Sequence, residues 1–173
     1  PDGTVLDGEL LAFQEGVPLP FSVLQTRITR KTLSKKVLLE APVSFIAFDL
    51  LEWKGKDLRN EPLSRRKVLL EELVNSVNHP KLKLSETITF TSWEELAQVR
   101  ENARDLQTEG LMLKKKDSSY ETGRKRGSWW KWKLNPMHID GVLIYAQKGH
   151  GRRADLFTDY TFGVWDGEVL VSF

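Results

Sequence analysis

Residues 109–133, EGLMLKKKDSSYETGRKRGSWWKWK, gather a carboxylate, a run of cations and three tryptophans in one short stretch. Lys114, Lys115, Lys116, Arg124, Lys125, Arg126, Lys131 and Lys133 stand against Glu109, Asp117 and Glu121, so the segment is net +5. The whole chain is only +2, which leaves the remainder slightly acidic. A basic patch on a weakly acidic body predicts a localised polyanion partner. Side chains alternate faces along a strand, so WWKWK places Trp129, Lys131 and Lys133 on one face and Trp130 and Trp132 on the other. Two lysines about 7 Å apart on one face suit a phosphate clamp, with Trp130 and Trp132 anchoring the strand. The same pattern also suits a solvated edge whose lysines guard against aggregation.

Other residue types are open to two readings each. Glu109 opens an apolar strand, on the face of Leu111 and Leu113, with Lys114 projecting to the other side. A carboxylate there suits Mg²⁺, a hard cation that prefers oxygen, or a ribose hydroxyl; it equally suits a half-exposed strand end. In LDGELLAF, Asp7 and Glu9 share a face with Gly8 between them, either to hold a metal or as the acidic side of a strand near a turn. Phe48 in FIAFDLL is either core or a platform for a nucleobase, since every base offers a π-face. The loop DSSYETGRKRGS, with Arg124, Lys125 and Arg126 between Gly123 and Gly127, suits a nucleic-acid backbone or plain solvent.

These residues need elements to hold them. TVLDGELLAF (4–13) reads as a strand closed by a Glu15-Gly16 turn, 22–30 as a short helix, and VSFIAFDLL (43–51) as a buried strand. After the Gly55 turn, Pro62 opens a helix that carries Leu63, Lys67, Leu70, Leu73, Val74 and Val77 and stops before Pro80. LKLSETITF (82–90) is strand-like, and Ser92 with Glu95 forms a capping box for a helix ending near Leu106. From Ile139 the pattern is only β: GVLIYAQK, TDYTFGVW and EVLVSF, with an Asp166-Gly167 turn between the last two. The fold class is therefore α+β, with a boundary near residue 134 and an antiparallel β-domain over 135–173. Three strands are too few for a small barrel, so that domain is expected to be incomplete.

The bulk numbers narrow the classes. With 40% hydrophobic and 29% charged residues in 173, the chain can bury a core and is not a disordered segment. The absence of cysteine removes disulfides and thiolate metal sites, and the three histidines are too scattered for a zinc site. No apolar run approaches the roughly 20 residues that cross a bilayer. The expectation from these numbers is a soluble, intracellular, cytoplasmic protein without a membrane partner.

Taken in order, DGEL (7–10), FIAFDLL (45–51) followed by LRNEPLSRR (58–66), EGLMLK (109–114) and a basic stretch ending in WWKWK resemble the signature of ATP-dependent DNA ligases. The resemblance implies an antiparallel-sheet nucleotidyltransferase (adenylation) domain over 1–134, incomplete at its N-terminus, and the first strands of an OB-fold over 135–173. It implies ATP as AMP donor, Mg²⁺ and nicked duplex DNA as partner, in a protein monomeric at full length. Residue by residue, Glu9 would help hold the metal and the nucleotide's surroundings, Phe48 would stack on adenine, and Glu109 would act at metal and phosphate. Lys114 would lie near the nucleotide phosphates, and Lys131 and Lys133 would contact the α-phosphate. Arg124, Lys125 and Arg126 would touch the DNA backbone.

One departure stands out. The family's nucleophile is a lysine in K-x-D-G, and no K-x-D-G occurs here; Pro1-Asp2-Gly3 sits too close to DGEL and reads as a turn. The expectation is a piece of a ligase that cannot adenylate itself. RNA ligases, capping guanylyltransferases and a non-catalytic nucleic-acid-binding module are the rival readings.

Overall fold

Glu15 and Gly16, at φ 51° and 88°, turn strand β1 (Val5–Gln14) back onto the short β2 (Val17–Pro18). A two-residue turn with both φ values positive matches the twist of an antiparallel pair. The structure is a computed structural model that describes residues 2–28, 30–106, 108–123 and 125–172. Two helices follow, α1 (Phe21–Ile28) and α2 (Lys35–Glu40). The second was not anticipated. Ser34 starts it by accepting a hydrogen bond from the Val37 amide at 3.3 Å.

The buried strand expected over 43–51 is β3 (Val43–Trp53), which pairs antiparallel with β1 and turns at Lys54-Gly55 into β4 (Lys56–Asp57). Its pairing with β1 slips between Asp7 and Gly8: Asp7 faces Asp49, Gly8 faces Ala47, and Phe48 is left as the extra residue of a β-bulge. Helix α3 (Leu63–Val77) packs on this sheet and ends at Asn78, whose left-handed backbone (φ 44°) closes the helix ahead of Pro80. Ala47, Leu50, Leu58, Leu70, Leu73 and Val74 form the core between helix and sheet. Full burial of each leucine contributes about 1.5–3 kcal/mol.

The strand expected over 82–90 is cut to β5 (Leu82–Leu84), which runs parallel to β3 opposite Phe45–Ala47. Ser85 still donates its amide to the Ala47 carbonyl at 2.8 Å, but the ladder with β3 stops at Leu84, and β-forming side chains do not make a strand without a ladder partner. Helix α4 (Trp93–Glu101) opens as expected, with Ser92 Oγ accepting from the Glu95 amide at 3.2 Å. The Glu95 carboxylate reaches the amide and hydroxyl of Thr91 rather than the amide of Ser92. The helix tightens into a 3₁₀ turn, Asn102–Arg104, instead of running to Leu106. Strands β6 (Gly110–Lys114) and β7 (Trp129–Lys133) then pair as an antiparallel ribbon.

The chain divides into two compact units, Pro1–Leu134 and Asn135–Phe173. The second is a meander of β8 (Val142–Lys148), β9 (Phe157–Asp166) and β10 (Val169–Ser172). The hairpin falls one residue beyond Asp166-Gly167: Asp166 pairs with Val169, so Gly167-Glu168 make the turn, with only Gly167 at positive φ. That is the Gly-first form of a two-residue hairpin. Among the described residues, the buried hydrophobic ones lie in the first unit, whereas Leu143, Phe157, Phe162 and Trp165 in the second are exposed.

Candidate functional site

The β6–β7 register sorts the basic segment onto two faces. Lys114 stands opposite Trp129, Met112 opposite Lys131 and Gly110 opposite Lys133 on one; Leu111 faces Trp132 and Leu113 faces Trp130 on the other. Lys114, Lys131 and Lys133 therefore share a face, set by this register together with the alternation along each strand. Glu109 does not stay with Leu111 and Leu113. Its carboxylate forms an ion pair with Lys133, on the lysine side. Gly110, at φ 135°, breaks the alternation there, and a Cβ on it would come within 2.4 Å of the Trp132 carbonyl oxygen. Only glycine permits this approach. Both partners are exposed, and the Lys133 ammonium holds the Glu109 carboxyl below its ordinary range.

The tryptophans divide differently from the expectation that Trp130 and Trp132 anchor the strand. Trp132 is half-buried against Arg100 (5.2 Å) and Trp93 (6.4 Å, edge-on). Trp130 is 49% exposed. The second anchor is Trp129, which meets the ring of Tyr120 edge-on at 5.5 Å. The reason is that the loop before β7 brings Tyr120 to the face of Trp129.

Lys114 lies between two rings, its ammonium 3.9 Å from the Trp129 centroid and 4.3 Å from that of Phe48. The bulge at Phe48 aims this ring at the β6–β7 ribbon. Lys114 thus sits over the ring read as the base platform. Burial pushes its amine down to about 8, opposed by the carboxylates of Asp49 and Asp7 and reinforced by Lys67 and Arg66. Lys67, which donates to the Ser85 carbonyl at 3.3 Å, is lowered by burial as well.

Beneath this pair runs a polar network that the sequence reading did not single out. Arg66 and Asp49 are fully buried and joined by two hydrogen bonds, 2.7 Å from Nε to Oδ1 and 2.9 Å from Nη2 to Oδ2. Nη1 donates to the carbonyls of Glu61 and Ser118. Tyr120 lies by the guanidinium at 5.8 Å and donates its hydroxyl to Asp7 Oδ2 at 2.8 Å. Burial and the Asp7 bond push the Tyr120 phenol up to about 12, which keeps it a donor. A signal was available: an aspartate inside the apolar run FIAFDLL needs a cationic partner, because an unpaired buried charge is prohibitively costly.

The remaining candidates are less gathered. Glu9 is exposed on β1 across from Ile46, and the space beside Gly8 is filled by the Phe45 ring and the Ile46 carbonyl, so Gly8 admits the neighbouring strand. Lys125 pairs with Glu121 at 3.8 Å, and Arg126 is exposed. Arg124 lies outside the described residues. Among the described residues, no three of His, Cys, Asp and Glu cluster as metal ligands.

The family model described as the ATP dependent DNA ligase domain matches residues 1–133. The chain belongs to this DNA ligase family. A "Probable DNA ligase" of Koribacter versatilis is 36% identical over 97% of this chain and 33% of its own length. The DNA ligase of Thermococcus onnurineus is 34% identical over 94% of this chain and 29% of its own. The chain thus spans about a third of the length of these relatives. A mycobacterial DNA ligase D solved with ATP and MES is 31% identical, with a TM-score of 0.55, over 92% of this chain and 45% of that one. A Lig E DNA ligase structure superposes with a TM-score of 0.69 over 96% of this chain and 60% of that one, at 20% identity, which is a likeness of fold. The mixed helical and antiparallel-sheet architecture is thereby one that DNA ligases share.

Proposed function

We propose that residues 1–134 are part of the adenylation domain of an ATP-dependent DNA ligase and that 135–173 begin its OB-fold. The observation that carries the reading is the single face of the β6–β7 ribbon on which Lys114, Lys131 and Lys133 stand, with Glu109 drawn to the same side. Cations arranged in advance around a phosphoryl group stabilise charge as it develops, which is the largest contribution to phosphoryl transfer. Lys131 and Lys133 hold the α-phosphate of ATP, and Phe48 offers a ring face to adenine. That role requires the Lys114 ammonium to move off the Phe48 ring or the base to take its other face. Lys114 is then near enough to follow the nucleotide's charge.

The parent chemistry has three steps: self-adenylation on a lysine, transfer of AMP to the 5′-phosphate at a nick, and attack by the 3′-hydroxyl with release of AMP. Mg²⁺ would neutralise phosphate charge, and Glu109 and Glu9 would serve it. Mg²⁺ commonly takes one or two carboxylates and completes its shell from phosphates and water, so this donor set fits an ion that arrives with the nucleotide. Lys125, Arg126 and Arg124 would contact the DNA backbone.

The lysine of the first step belongs to K-x-D-G, which this chain lacks. Incubated with α-labelled ATP and Mg²⁺, the chain is expected to bind nucleotide and to carry no label after denaturation. Lys131→Met/Lys133→Met is expected to abolish the binding. A covalently labelled band would overturn the inactivity, and ATP binding unchanged in the double variant would overturn the site. DNA binding with no affinity for ATP would instead favour a module that binds nucleic acid without catalysis.

A further inference from the structure

A charge buried in a protein core is a poor way to gain stability, since an apolar pair of similar volume serves as well or better. The fully buried Asp49–Arg66 pair therefore calls for another explanation, and its partners supply one. Asp49 follows Phe48 in β3, immediately after the bulge. Ser118, whose carbonyl accepts from Arg66 at 3.1 Å, lies four residues beyond Lys114. The same carbonyl accepts from the Leu63 amide at 2.9 Å, and that of Lys116 accepts from the Ser64 amide at 2.8 Å, so the segment after β6 also closes the N-terminus of α3. Tyr120 completes the link, hydrogen-bonded to Asp7 and set edge-on against Trp129. Asp49, Ser118 and Tyr120 are thus close chain neighbours or direct contacts of Phe48, Lys114 and Trp129, and Arg66 contacts all three.

We propose that Arg66 is a positioning residue: its planar fork fixes the β3 bulge to the segment after Lys114 and so sets the spacing of Phe48, Lys114 and Trp129. The consequence for ATP rests on the nucleotide reading given above; the consequence for Lys114 does not. A guanidinium presents its donors in a rigid plane, so one side chain satisfies Asp49 bidentately and still reaches two carbonyls, which the single ammonium of a lysine cannot reproduce.

The test uses the intact chain, isotopically labelled, and reads the Lys114 side-chain methylene shifts by NMR. Protons held between two aromatic faces are displaced upfield by ring currents. Asp49→Leu/Arg66→Met removes both charges together, and Arg66→Lys keeps the charge without the fork and serves where the double variant fails to fold. In either variant that retains a cooperative melt, the Lys114 signals are expected to return to positions typical of an exposed lysine, and ATP affinity to fall by about tenfold or more as the pocket loses its pre-arrangement. Unchanged Lys114 signals in a folded variant would overturn the proposal. If the parent chain binds no ATP but its Lys114 signals collapse in the variants, the positioning role stands and the nucleotide reading falls.

Discussion

Gly110 decides the chemistry of its neighbour. With its φ of 135° it lets Glu109 leave the apolar face of the ribbon and pair with Lys133. Strand alternation correctly placed Trp129, Lys131 and Lys133 on one face and Lys114 away from Leu111 and Leu113, because the period of two is a property of the pleat, but only the register joins Lys114 to the other two lysines. It misplaced Glu109, because alternation holds only where φ is ordinary. Phe48 failed to read as a cage wall for the same kind of reason: a bulge is a mismatch between two strands, and one strand's sequence does not record it. The Glu109–Lys133 pair has a titration signature. Lys133→Met should raise the Glu109 carboxyl back toward the ordinary carboxylate range, read from its carboxyl ¹³C shift. The depressed value means that the pair's small stabilising contribution is present above the unfolded pKa and is lost as pH falls through the folded one. The variant should therefore be less stable relative to the parent near neutrality than in acid. A Glu109 titration indifferent to the substitution would show that the two side chains do not meet in solution.

At the scale of elements, helix α3 was the most legible feature. Leu63, Leu70, Leu73 and Val74 recur at helical spacing, Pro62 precedes them, and Pro80 bounds them. Two things about it were not legible. Its first amides are satisfied by carbonyls of Ser118 and Lys116, more than fifty residues away in sequence, and Arg66 points into the fold instead of out of it. Long-range partners leave no local pattern. The strand read over 82–90 erred in the opposite sense, since its local pattern was sound but only Leu82–Leu84 found a partner. The packing of α3 on β3 is testable by contrast. Leu70 is 0% exposed, so Leu70→Ala should cost about 2–5 kcal/mol through lost burial and the cavity left behind. Leu39, on α2, is 79% exposed, and Leu39→Ala should stay within about 0.5 kcal/mol. Urea melts of the two variants measure both, and similar losses would mean that the helix–sheet core is not where the structure puts it.

At the scale of the molecule, charge was read correctly as a quantity but its division among tasks came only from the structure. The basic segment splits into cations that line the ribbon face, Lys114, Lys131 and Lys133, and cations in the loop between the strands, of which Lys125 and Arg126 are exposed. Exposed loop cations have little to gain from their own fold: the Lys125–Glu121 pair spans 3.8 Å between exposed residues, a contact worth at most about 1 kcal/mol in water. Phosphate contact is where such charges act, because each neutralised phosphate releases condensed counterion. Binding of the chain to nicked duplex DNA should therefore weaken as salt rises, with a slope of log K on log salt of about 0.9 per phosphate contacted. Lys125→Gln/Arg126→Gln should lower that slope by about 2 while leaving ATP binding unchanged, since neither residue belongs to the ribbon face. Lys131→Met/Lys133→Met should do the reverse, abolishing ATP binding with a smaller change in slope. Fluorescence anisotropy across a salt series, run beside ATP titrations, separates the two. A slope unaffected by the loop substitutions, or ATP affinity that falls with them, would show that loop and ribbon act on one ligand and not on two.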